Sequence, residues 1–205
     1  MNDRPVRETA AYGPLRHVLS ELVHAARAAL GAEACSITLL DPQINALRFF
    51  AVSGQGEGEL EGTALPPDRG LAYWGLRTAM PLAVRDLDDQ TSPNSSEFNR
   101  GFAESTGFVP QSILVAPVNS ASSPVGVLQA LDFGAMAANQ DPLETLERFA
   151  GLAGAIIDNT GIPAATEHLA AAEAVREIGE RLSSTLLTTP QEARRLLLSA
   201  LLDLS

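Results

Sequence analysis

The chain has 205 residues, 45% of them hydrophobic, and a formal net charge of −11; that length sets one core with an extension as the expectation and leaves two full domains cramped. All 14 basic residues are arginine, which excludes Schiff-base, phosphate-loop and kinase-type lysine chemistry, and arginines scattered over an acidic chain disfavour nucleic acid. The single Cys35 can supply neither an internal disulfide nor a cysteine zinc site, which fits a reducing compartment.

The first residues carry both charge signs with no apolar run behind them, unlike a secretory signal. No stretch of about 18 apolar residues occurs either; even Leu196 to Leu204 is broken by Asp203. A soluble, cytoplasmic chain that does not engage a membrane is expected. From Gly13, after a tail over 1–12, the residues Leu15, Val18, Leu19, Leu22, Val23, Ala26 and Leu30 recur at helical spacing, and Gly31 suits the C-terminal cap. Ala34 to Leu40 then alternates, Cys35, Ile37 and Leu39 on one side and Ser36 and Thr38 on the other. After a turn at Asp41 to Asn45, Ala46 to Val52 completes a hairpin. Ser53 to Gly62 holds four glycines and three glutamates, a composition that predicts an unburied, mobile loop. Its acids would repel an anion, so it is no phosphate cradle.

Gly70 to Arg77 reads as a short helix, Pro81 to Val84 as a short strand, and Asp86 to Pro93 as a polar loop. Asn94, with Glu97 three residues later, has capping-box spacing for a helix to Ala103 that Gly107 can end. Ser112 to Val118 and Val125 to Phe133 are apolar on both faces, as central antiparallel strands are. Asp141, Pro142 and Glu144 open a long helix with a buried stripe at Leu143, Leu146, Phe149, Ala150, Ala153, Ile156 and Ile157. Gly161 and Pro163 stop it, closing a domain over 13–161. The segment 162–188 then carries Ala171, Val175, Ile178, Leu182 and Thr185 at alternating spacings of four and three, a coiled-coil-like seam. Thr189 starts a last apolar helix over 189–205 with nothing evident to pack on, which points to a partner subunit or a longer parent protein.

This order of elements resembles the GAF domain, a PAS-related sensor family. The stretch from Gly70 to Asp86, with Pro81, Val84 and Asp86 in place and Ala79 where glycine is usual, is similar to one family motif. The strand pair from Phe108 through Ser112, Leu114, Pro117 and Val118 to Gly126, Val127 and Leu128 is similar to another, and the resemblance covers Gly13 to Thr160. It implies an α+β fold: a six-stranded antiparallel sheet, flanking helices on one face and a small-molecule pocket on the other, with a linker helix at the C-terminal end. One fold hosts many functions.

The chemistries known on this fold are mostly unmatched. Asp132-Phe133-Gly134 stands where cyclic-nucleotide binders carry their Asn-Lys signature. His17 and His24 share a face of the first helix rather than a pocket, so haem is not expected, and the helix near Asn94 to Ala103 has no cysteine for a bilin. One cysteine cannot both attack and resolve as sulfoxide reductases require, and Cys35 on an apolar strand face reads as an inert thiol. Asp86, Asp88 and Asp89 read as turn residues, with divalent-cation binding the other reading. No catalytic residue, cofactor or metal site is expected.

What remains is an aromatic set near the expected pocket, Tyr73, Trp74, Phe98, Phe102 and Phe108, with Gln129 and Asp86 as polar contacts. Either these hold a small planar or apolar ligand or they are plain core. The expected function is a non-catalytic regulatory module that senses a small molecule and signals through its C-terminal helix. The other reading is a ligand-free domain used for dimerisation. Both imply a homodimer through Gly13–Leu30, Pro142–Asn159 and Ala164–Leu187.

Overall fold

The computed structural model describes residues 12–160, apart from 42–43, 68, 90, 92–93, 121–122 and 135–139. The tail before Tyr12, the expected linker helix over Ala164–Leu187 and the closing helix from Thr189 lie outside the described residues. Within them the chain forms α1 (Tyr12–Leu30), β1 (Ala34–Asp41), β2 (Ala46–Gly54), α2 (Leu71–Thr78), β3 (Leu82–Val84), a 3₁₀ turn (Ser95–Glu97), α3 (Arg100–Ser105), β4 (Ile113–Ser120), β5 (Ser123–Leu131) and α4 (Pro142–Thr160).

The strands build one antiparallel sheet in the order β2-β1-β5-β4-β3. It has five strands among the described residues, where six were expected. The free edge of β2 is instead covered by Gly62 to Leu65, which exchanges backbone hydrogen bonds with Leu47 and Phe49 at 2.8–2.9 Å and forms a single bridge at Arg48 and Ala64. Without continuous pairing this cover is not a sixth strand, yet it satisfies the Phe49 amide and the Leu47 and Phe49 carbonyls on that edge.

Two layers sandwich the sheet, because its central strands are apolar on both faces. On one face, α1 and α4 lay Leu19, Val23, Leu146 and Ala153 over Cys35, Ile37, Leu114, Ala116 and Leu128. Asp141 opens α4 as its syntax predicts, its carboxylate accepting from the Leu143 amide at 3.0 Å. On the other face, Leu71 of α2 meets Val115 and Val127 with Val84 and Leu87, while Tyr73 and Ala72 pack on Leu47. Gly75 permits that approach, since a Cβ there would come within 2.7 Å of the Val115 side chain.

Two local expectations are corrected. Asn94 does not cap a single helix to Ala103; its φ is 64° and its side chain makes no cap. Asn99 does so instead, accepting from the Phe102 amide at 3.1 Å, because the chain is extended at Phe98 and a new helix needs its own N-cap. Ser53 to Gly62, predicted as an unburied loop, begins inside β2 with Ser53 fully buried and continues as consecutive turns closed by Glu57 to Gly54, Leu60 to Gly56 and Thr63 to Leu60 backbone bonds. Gly54 starts them at φ 87°, where a Cβ would sit 2.2 Å from the Glu33 carbonyl oxygen; only glycine fits there.

Candidate ligand-binding site

A cavity of about 100 Å³ lies between the second sheet face and the segments that roof it. Its floor follows from strand register. Ser36 on β1 stands opposite Gln129 on β5 and Val52 on β2, so all three project to the same side. A register shift between Ile37 and Thr38 then pairs Thr38 with Phe49 and leaves Phe50 without a partner. This bulge puts Ala51 and Phe50 together on the helix face and keeps both Val52 and Phe49 on the cavity floor.

The roof comes from short elements. Phe98, Phe102 and Phe108 enter from around α3, and Leu60 from the glycine turns. Phe102 stacks on Phe49 with ring centroids 6.3 Å apart and planes at 15°, an aromatic pair spanning floor and roof. Among the described residues that line the cavity, Arg69 is the one that carries a charge; it is exposed.

Of the seven residues singled out in the sequence, Phe98, Phe102, Phe108 and Gln129 line this cavity together. Tyr73, Trp74 and Asp86 lie outside the lining. Tyr73 is buried, and its hydroxyl accepts from the Leu47 amide at 2.9 Å, tying α2 to β2. Successive helix residues diverge by about 100°, and Trp74, next along, is half-buried elsewhere. Asp86 is exposed and turns back on its own loop, accepting from the Asp88 and Asp89 amides at 2.9 and 3.2 Å. Asp88 meets Arg100, and no cluster of metal-ligating side chains occurs among the described residues. Asp132 accepts from the Gln111 and Ser112 amides at 2.7 and 2.9 Å, closing the end of the β4–β5 pair.

Sequence reasoning missed Ser36, Phe49 and Arg69. Ser36 had a visible signal, since it alternates with Cys35 and Ile37 along β1. Phe49 did not, because the bulge that orients it is a feature of strand pairing.

Two groupings outside the cavity bear on chemistry. Cys35 is 0% exposed on the helix face. Burial pushes its thiol up to about 12, against weaker lowering by a backbone hydrogen bond at Ser36 and by Arg27, so it is not a nucleophile at neutral pH. Ser53 Oγ lies 2.6 Å from His24 Nδ1, with Glu57 3.8 Å from His24 Nε2, an order that looks like nucleophile, base and orienting acid. Yet Ser53 is 0% exposed and its Oγ also accepts from Arg27 Nε at 3.0 Å. No substrate carbonyl can reach it, and the group ties α1 to the end of β2.

Comparison with known proteins agrees with this architecture. Similar solved structures include residues 122 to 287 of a methyl-accepting chemotaxis protein (19% identity over 72% of this chain and 90% of that one, TM-score 0.60). The GAF domain of a two-component sensor histidine kinase from Bacillus halodurans (20% identity, 70% and 93%, 0.51) is another. A third is the type II free methionine-R-sulfoxide reductase from Thermoplasma acidophilum (13%, 73% and 96%, 0.56). These likenesses concern the fold. Comparison with curated proteins finds no match. The GAF domain family model matches residues 14–157, well over half of the sequence, and the chain therefore belongs to the GAF domain family, whose members are mostly sensory and regulatory modules.

Proposed function

We propose that this chain is a non-catalytic sensing module that holds a small molecule in the cavity beneath α3 and passes its occupancy to an output domain or partner. The observation that carries the reading is the cavity itself: a mostly apolar chamber floored by the sheet and roofed by short elements. Signalling then proceeds by a change in the population of roof conformations, which a ligand biases by its differential affinity for them. In this reading the module works as a cytoplasmic homodimer through α1, α4 and the Ala164–Leu187 segment, with no nucleic-acid or membrane partner and no bound cofactor.

The contrary reading, a ligand-free dimerisation domain, predicts no such response. Native mass spectrometry of the purified chain separates the two, combined with amide NMR during a small-molecule screen. Sensing predicts a bound species, or saturable shifts at Leu60, Phe98, Phe102 and Gln129. A dimer that carries no small molecule and shows no saturable shift at these four residues would favour the structural role.

A further inference from the structure

The cavity floor holds two polar groups in an otherwise apolar setting. Ser36 and Gln129 are direct cross-strand partners, each 8% exposed, and both line the cavity. Neither side chain hydrogen-bonds a described residue. Both residues are buried as a whole, yet their polar atoms open on the cavity rather than into packed protein, so an occupant with matching polar groups can bond them. Between them they offer donors and acceptors, which suits a hydroxyl or carbonyl group.

The same cavity is lined by Phe49, Phe98, Phe102, Phe108 and Val52, with Gln55, Asn99 and Thr106 as further polar residues. Four aromatic walls favour a flat ring, through stacked and edge-to-face contacts. The described lining contains no carboxylate, and Arg69, exposed at the cavity, makes no ion pair among the described residues. On a chain of net charge −11, an exposed arginine at a cavity whose described lining holds no acid favours an anion and disfavours an amine. A volume of about 100 Å³ leaves room for no more than a single ring.

We propose that the cavity takes a small planar carboxylic acid of single-ring size. Its carboxylate faces Arg69 at the rim, its ring lies among the phenylalanines, and a hydroxyl or carbonyl at its far end bonds Ser36 and Gln129. The proposal rests on the sensing reading above and specifies the chemistry of that site.

The test is calorimetric titration of the full chain with para-hydroxybenzoate, benzoate, para-hydroxybenzamide and para-hydroxybenzylamine, with amide NMR to locate each. The acid with the hydroxyl should bind at Phe102 and Gln129, at least tenfold more tightly than its neutral amide, with the amine weaker still. Arg69→Gln, at an exposed position, should abolish the preference for acid over amide, and the preference should shrink with added salt. Gln129→Leu should abolish the advantage of para-hydroxybenzoate over benzoate while leaving benzoate itself bound. Amide or amine binding as tightly as the acid would overturn the acid assignment while leaving a sensing site in place. Failure of both acids to shift cavity residues in a folded protein would overturn the proposal outright, with the native mass measurement still judging the broader reading.

Discussion

At the scale of single residues, Cys35 shows how burial decides chemistry. With its thiol raised from 9.0 to about 12, the folded state keeps a proton that the unfolded chain releases above pH 9. Stability from this group is therefore complete below pH 9 and falls between 9 and 12, by about 1.4 kcal/mol per pH unit. Cys35→Ala should flatten that part of an alkaline denaturation curve, and iodoacetamide should label native protein only at the rate of global unfolding. Rapid labelling at pH 7 would show that the thiol is accessible. Tyr73 makes the complementary point. Its hydroxyl is the acceptor for the Leu47 amide on β2, so Tyr73→Phe leaves a buried N–H unpaired and should cost about 1–3 kcal/mol in urea denaturation. Trp74→Phe, at a half-buried position, should cost less. The sequence displayed both rings side by side with nothing to say which was core, since the partner of Tyr73 lies 26 residues away.

Among the elements, α4 contains two glycines with opposite predicted roles. Gly151 is exposed with nothing within 4 Å of an added Cβ, whereas a Cβ at Gly154 would lie 2.1 Å from the Asn119 carbonyl oxygen of β4. Helix propensity favours alanine over glycine by about 0.8–1.0 kcal/mol at either position. At Gly154 the clash with backbone outweighs it, because α4 would have to withdraw from the sheet it covers. Gly151→Ala should raise the thermal midpoint and Gly154→Ala lower it; both moving the same way would refute the close approach of α4 to β4. Element type and order were legible because hydrophobic period and capping residues agree, as at Asp141 and along β4 and β5. What stayed hidden was long-range: the bulge at Phe50, the cover on the β2 edge, and the cap at Asn99. The floor residue Gln129 and the roof residues Phe98, Phe102 and Phe108 could be named from family resemblance, but Ser36 and Phe49 needed the register between β1 and β2.

For the molecule as a whole, the proposed sensing role requires that an event on one sheet face reach the helices on the other, across a continuous five-stranded sheet. The glycine turns supply a route around the β2 edge. Leu60 and Gln55 line the cavity, while two acids of the same segment reach across to α1. Glu57 accepts from the Gly54 amide at 3.0 Å and lies 3.8 Å from His24; Glu61 accepts from the Val52 amide at 3.3 Å and lies 3.6 Å from Arg16. Arg16 in turn donates to the Phe50 carbonyl at 3.0 Å, at the bulge. Pairs of this kind contribute about 0.2–1 kcal/mol each when both partners are charged, which for His24 requires the protonated ring, weak enough to yield to a ligand and strong enough to register in exchange rates. The double variant Arg16→Gln/His24→Gln should therefore speed hydrogen exchange at the Glu59, Leu60 and Thr63 amides by roughly two- to thirty-fold. Central amides such as those of Val115 and Leu128 should hold their protection, because they open only with the core. Unchanged exchange at the three turn amides would mean that the backbone turns alone fix this segment, and that occupancy of the cavity has no path to α1 along the β2 edge.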